Sequence, residues 1–187
     1  AEGRLLTWGW VPFAPTEDGI QETFSRVPRP VPFGYDVRIA GVACGCFATA
    51  AWDVHGQLHT WGRNDSGQLG HGIDQTETAS PRHVVALSGV PIAQVAFGGT
   101  QSADELTGFM LARSAGGVLF SCGAPAHGCL GRPFSSDDAE LTSDPAEAWA
   151  AVEVPLHFSV PGAVLFGPED DDIIVDVSAA DIHAAAL

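Results

Sequence analysis

The sequence contains no lysine. Its eight cations are all arginines and face 23 acids, for a formal net charge of −15 over 187 residues. After Arg132 there is no Lys or Arg, yet twelve acids follow between Asp137 and Asp181. Gripping a phosphate backbone needs clustered cations, so direct nucleic-acid binding is excluded as the role of this segment. No apolar run approaches the ~18 residues of a membrane-crossing helix. The opening Ala1-Glu2-Gly3-Arg4 lacks the basic and apolar regions of a secretory leader, and no initiator Met precedes it. The numbering is therefore expected to start inside a longer gene product.

Catalytic motifs are also missing. There is no Gly-x-Ser-x-Gly elbow, no Walker loop and no His-Glu-x-x-His. The four cysteines, at 44, 46, 122 and 129, form neither a paired zinc pattern nor a small disulfide framework. They read as reduced, mostly buried thiols of an intracellular protein. No metal, cofactor or catalytic residue is expected.

Hydrophobic residues make up 45% and charged residues 17%, a balance that supports a packed core rather than disorder. Glycine (22) and proline (13) are abundant, which favours turns and short strands over long helices. The turns recur at a fixed interval. Trp8-Gly9 returns as Trp61-Gly62, 53 residues on, and in degraded form as Cys122-Gly123. Val42-Ala43-Cys44-Gly45 returns as Val95-Ala96-Phe97-Gly98, also after 53 residues. A third landmark, Gly67-Gln68-Leu69-Gly70, is matched by Gly128-Cys129-Leu130-Gly131. Each of these two begins six residues after its Trp or Cys. The last copy ends near Val177-Ser178-Ala179-Ala180 and carries 21 extra residues.

Between the landmarks the pattern is strand-like. Asp53-Val54-His55-Gly56 and Ser114-Ala115-Gly116-Gly117 read as tight turns. They make Phe47 to Asp53 the antiparallel partner of Gln57 to Trp61, and Phe109 to Arg113 that of Val118 to Cys122. A helical period is suggested only over Asp144 to Val154, where Ser143 or Asp144 could cap and Pro145 suits the first turn. Repeats of about 50 residues, each with several short strands, point to an all-β propeller. The approximate units are 1–56, 57–116 and 117–187, with an acidic insertion near 137–161.

Leu58-His59-Thr60-Trp61-Gly62-Arg63-Asn64-Asp65-Ser66-Gly67-Gln68-Leu69-Gly70-His71-Gly72 resembles the signature of the RCC1 repeat family, named for the regulator of chromosome condensation. Ser80-Pro81-Arg82-His83-Val84, Leu87-Ser88-Gly89-Val90 and Val95-Ala96-Phe97-Gly98-Gly99 continue the pattern in order. The first unit keeps Trp8-Gly9 and Gly45 but has Trp10-Val11-Pro12 in place of the Gly-Gln-Leu-Gly loop. The third has Cys122 for Trp, Cys129 for Gln and Ala180 for Gly. The resemblance implies blades of a seven-bladed propeller, of which this chain supplies about three repeats. A three-repeat arc standing alone would expose two blade edges. Expressed by itself it should be poorly soluble or self-associate, and a monomeric, cooperatively unfolding preparation would count against that. The repeat-defining residues are Trp8, Gly9, Gly45, Trp61, Gly62, Gly67, Gln68, Leu69, Gly70, Gly98, Gly123, Gly128, Leu130 and Gly131, all with structural roles. Trp8 and Trp61, at equivalent positions, are expected to pack between blades.

Outside the repeat skeleton, His55 and His59 are four apart, but Gly56 and the strand alternation argue against a shared helical face and hence against a metal site. His71 and His83 fall in template loops and read as structural or surface residues. Glu169-Asp170-Asp171-Asp172 lacks the alternating oxygen spacing of a calcium loop and reads as a solvated turn before Ile173-Ile174-Val175. The insertion, Asp137 to Pro161, offers Asp137, Asp138, Glu140, Asp144, Glu147 and Glu153 around Trp149. It has two readings: an acidic rim with an aromatic anchor, suited to a basic protein surface, or a loop packed on its own propeller. The functional expectation is a non-enzymatic protein-interaction scaffold in a larger protein or multi-protein assembly. The alternative, implied by the resemblance, is guanine-nucleotide exchange on a small GTPase. Nucleus, cytosol, mitochondrion and cilium all stay open as compartments.

Overall fold

The structure is a computed structural model that describes residues 5–16, 19–33, 37–45, 47–72, 77–99, 108–124, 129–131, 162–163, 175–180 and 184–186. The insertion residues Asp137, Asp138, Glu140, Asp144, Glu147, Trp149 and Glu153 lie outside the described residues, as do the suggested helix at 144–154, Cys46, Gly128 and the run 169–172.

Among the described residues the regular secondary structure is almost entirely strand, and each strand pairing is antiparallel. A long hairpin, β1 (Leu6–Thr16) with β2 (Gly19–Pro30), comes first. Two four-stranded sheets follow. One is built in chain order from β3 (Ile39–Cys44), β4 (Ala48–Asp53), β5 (Leu58–Arg63) and β6 (Glu77–His83). The other consists of β7 (Ile92–Gly98), β8 (Phe109–Ser114), β9 (Leu119–Gly123) and β10 (Gly162–Ala163). A 3-10 turn at Val85–Leu87 links the two sheets, and a short pair, β11 (Val177–Ala179) with β12 (Ala184–Ala186), ends the described chain. No helix among the described residues is long and apolar enough to cross a membrane.

The two expected hairpins form as read. Ala51 faces His59 across β4 and β5, and Ala112 faces Phe120 across β8 and β9. Their turns are closed by equivalent short polar side chains. Asp53 Oδ1 accepts the backbone N–H of His55 (2.9 Å) and Gln57 (2.8 Å). Ser114 Oγ accepts that of Val118 (3.0 Å). At the other end of each hairpin a glycine with positive φ lets the backbones touch. Gly62 (φ 113°) lies against the Phe47 carbonyl, which accepts the Arg63 N–H at 2.8 Å. Gly123 (φ 114°) lies against the Gly108 carbonyl, which accepts the Ala124 N–H at 2.8 Å. A Cβ at either position would collide with backbone.

The sheets stack as blades. The first strands, β3, β7 and β11, pack side by side and define the inner edge. Gly98 meets the Phe109 ring and the Ala180 carbonyl there, an approach that leaves no room for a side chain. Strand β8 shows why the fold holds. Met110 and Ala112 enter one buried cluster with Ala50, Leu58, Val84, Leu87, Ile92 and Val95. The alternate residues Phe109 and Leu111 enter a second with Leu119, Leu130 and Val177. A strand buried on both faces belongs to a sheet sandwiched between two others. Each large side chain so buried contributes about 1.5–3 kcal/mol. These are partial propeller blades. The stretch 57–116 straddles two of them, giving β5 and β6 to one sheet and β7 and β8 to the next.

One expectation is corrected. Trp61 is buried at 7% exposure, but Trp8 is 64% exposed on the β1–β2 hairpin, which has no inner strand pair beside it among the described residues. The described cysteines form no disulfide: Cys122 and Cys129 are buried, in keeping with mostly buried thiols, and Cys44 is exposed on β3.

Candidate interaction surface

The repeat signature turns its polar groups inward. Asn64 spans its own loop: Nδ2 donates to the Gly72 carbonyl (2.7 Å), and Oδ1 accepts the Leu69 N–H (2.9 Å). Gln68 Oε1 accepts the Ser66 N–H at 2.9 Å, and its side chain fills the space that a Cβ at Gly108 would need. Thr60 donates its hydroxyl proton to the Leu69 carbonyl at 2.7 Å. That proton being spent, the 2.9 Å contact between Thr60 Oγ1 and His71 Nε2 requires the imidazole to donate. His71 thus carries a proton on Nε2. Burial pushes its pKa down to about 4, and Arg82 and His83 nearby push the same way, against the opposing Thr60 backbone contact.

The third unit repeats the plan with other residues. Ser121 Oγ donates to the Leu130 carbonyl at 2.8 Å, as Thr60 does to Leu69. Cys122, at the Trp61 position, directs its thiol to the Gln68 carbonyl of the preceding sheet at 3.7 Å. Cys129 donates to the Ala124 carbonyl at 3.2 Å, and burial raises its thiol pKa to about 11, so it is an inert structural thiol. Neighbouring sheets are also latched at the surface. Gln94 Nε2 donates to Asp176 Oδ1 (2.6 Å) and to the Val177 carbonyl (3.0 Å), while its Oε1 accepts from Arg113 Nε (3.2 Å).

The histidines are arranged differently from the sequence reading. His55 sits exposed in the Asp53 turn. His59 is instead directly opposite His83 across β5 and β6, with ring centres 5.4 Å apart. Phe33 meets His59 edge-on at 5.4 Å and Trp61 at 6.1 Å. Burial, and next His83, hold the His59 pKa below its ordinary value; the Gln57 backbone and Asp53 oppose this. No hydrogen bond of acceptable geometry reaches His59 Nδ1, which is buried. Beside His83 opens a cavity of about 270 Å³, lined also by His55, Gln57 and the segment Leu87 to Pro91. Spacing along the chain relates only His55 to His59; the sheet register is what sets His59 against His83. Among the described residues no group of three or more His, Cys, Asp or Glu side chains could hold a metal ion.

With this geometry the comparisons have a physical meaning. The family model described as the regulator of chromosome condensation (RCC1) repeat matches residues 55–103, the stretch from the Asp53 turn through β7. The human "Probable E3 ubiquitin-protein ligase HERC6" is 30% identical over 186 residues, covering all of this chain. The chain spans only 16% of that relative's length. Among solved structures, human WBSCR16 aligns with a TM-score of 0.68 at 22% identity, over all of this chain and 40% of that one. Yeast RCC1 (Prp20), solved with Kap60 bound, aligns at 0.52 and 17% identity, over 99% of this chain and 50% of that one. Identities this low speak for the fold alone, and the fold agrees with the blades described above. Residues 55–103 carry an RCC1-type repeat, and the described strands fold as part of a β-propeller.

Proposed function

We propose that this chain is a non-enzymatic protein-interaction scaffold within a larger protein or assembly. The supporting observation is where its reactive side chains go. Among the described residues, Thr60, Ser121, Asn64, Gln68, His71, Cys122 and Cys129 are all engaged in closing loops or spacing sheets. What is left is a rigid frame that carries loops. The partner we assign has an Arg-rich or Lys-rich surface, received by the acids Asp137, Asp138, Glu140, Asp144, Glu147 and Glu153 around Trp149. If the longer protein is a ligase like HERC6, this segment recruits partners and does not transfer ubiquitin. The test is co-purification from cells of the wild-type chain against a variant with Trp149→Ala and the neighbouring acids amidated. Loss of a salt-sensitive partner is expected. Unchanged association would move the interface elsewhere.

A second reading, exchange activity on a small GTPase, is supported by the likeness of fold to yeast RCC1. Fold alone does not carry function. Accelerated GDP release from a GTPase panel would establish this reading, and no effect across the panel would remove it.

A further inference from the structure

We propose that the 187-residue chain associates head to tail, with β12 of one copy adding to the open edge of β1 in the next and completing a four-stranded blade. The two full sheets run β3-β4-β5-β6 and β7-β8-β9-β10, an inner pair followed by an outer pair. Among the described residues β1–β2 is an outer pair without an inner one, and β11–β12 is an inner pair without an outer one. The completed blade has the order β11-β12-β1-β2, with the last two strands from the second copy.

The hairpin β1–β2 copies β5–β6 residue for residue. Leu6 pairs with Pro30 and Thr7 with Arg29, as His59 pairs with His83 and Thr60 with Arg82. Both ladders shift register at the same place, between Thr7 and Gly9 and between Thr60 and Gly62. The Leu5 carbonyl accepts the Val31 N–H at 3.0 Å, as the Leu58 carbonyl accepts that of Val84 at 2.9 Å. One neighbour is missing. Gly62 uses its positive φ to meet Phe47 and Ala48, whereas Gly9, with the same sign of φ, meets nothing within 4 Å. Trp8 and Leu6 are exposed on the same strand. A glycine and a tryptophan shaped for an adjacent strand, on an edge that lacks one, point to an occupant.

Strand β12 is the matching insert. Ala184 pairs with Ala179 and Ala186 with Val177, as Thr49 pairs with Cys44 and Ala51 with Val42. Carrying over the β4–β5 register sets Ala184 against Trp8, Ala185 against Thr7 and Ala186 against Leu6. Ala185 is exposed. Both segments, Leu5 to Gly9 and Ala184 to Leu187, are free of charged residues in a chain of net charge −15, so the contact sets no acid against acid. It also continues packing already present, since β11 lies on β7 and β1 lies on β6. Two full sheets plus two half-sheets make three blades per copy. Two copies would hold six, inside the roughly 4–8 blades at which propellers close, so this heterologous contact can close on a dimer.

The experiment is light scattering of the full 187-residue chain over a dilution series, where the mass should rise from monomer to dimer with concentration. Trp8→Ala and Gly9→Ala should each weaken the association by at least ~10-fold, the scale for losing a central contact. Val85→Ala, on the exposed 3-10 turn, should leave it unchanged. Circular dichroism at monomeric dilution separates lost association from lost fold, because Trp8→Ala should match wild type there. For the register, Thr7→Cys and Ala185→Cys copies are mixed under mild oxidation. Peptide mass spectrometry should recover a link between positions 7 and 185 of different copies, absent when either variant is oxidised alone. A monomer at every concentration, a link joining position 7 of two copies, or undiminished association in Trp8→Ala would each overturn the proposal.

Discussion

Trp8-Gly9 and Trp61-Gly62 are the same dipeptide at the same place in two units, and the structure treats them differently. Both glycines have positive φ, 87° and 113°. Yet Trp61 is buried and Trp8 is 64% exposed. A Cβ on Gly62 would strike the Phe47 carbonyl, while one on Gly9 would meet nothing within 4 Å. The local sequence sets the backbone turn in both. Burial comes from neighbours: Gly62 pairs with Ala48 on β4, whereas the β1–β2 hairpin lies against β6 but pairs with no third strand among the described residues.

Substitutions can break the comparison. Gly62→Ala imposes both a strained φ and a backbone collision and should cost more than about 4 kcal/mol, enough to lose the fold. Gly9→Ala bears only the φ strain, about 1 kcal/mol. Urea unfolding midpoints measure both, and equal losses would mean that Gly9 is as crowded as Gly62. Trp61→Ala should cost about 3–5 kcal/mol, the scale of a buried aromatic, whereas Trp8→Ala should cost less than about 1. If thermal melts show Trp8→Ala to be the more damaging, the exposed ring is buried by something the described chain does not provide. Asn64→Ala leaves the Leu69 N–H and Gly72 carbonyl unpaired in a buried loop, at about 1–3 kcal/mol. Amide exchange at Leu69 should accelerate in that variant.

A further effect is that of acid. His71 is neutral in the fold, with its pKa lowered to about 4 from 6.5. The unfolded chain therefore takes up a proton first as pH falls. The contribution is full above pH 6.5 and fades as pH drops toward 4. After a discount for partial solvent access it is worth about 1–2 kcal/mol. His71→Gln should flatten the stability curve between those two values. An unchanged slope would show that other groups dominate.

The period-53 landmarks exposed the hairpins directly, because turns such as Asp53 to Gly56 depend on local chemistry. The inward bonding of Asn64, Gln68 and Thr60 was legible only as a structural motif. Its geometry depends on Gly72, Gly108 and Leu69, which are distant in sequence or chemically mute. The His59–His83 pair was missed because cross-strand register through β5 and β6 is set by a shift between Thr60 and Gly62 that no spacing rule reveals. Trp8 was misjudged because repeat equivalence specifies a residue's role only where its neighbours are repeated too.

The offset between unit and sheet has an architectural consequence. Because 57–116 supplies the outer pair of one sheet and the inner pair of the next, gaining or losing one such stretch would leave no sheet half-built. Gly62 would still find a partner like Phe47, and Gly98 one like Ala180. A gene could lengthen or shorten such an arc in whole steps, with each junction already tailored to whatever copy comes next.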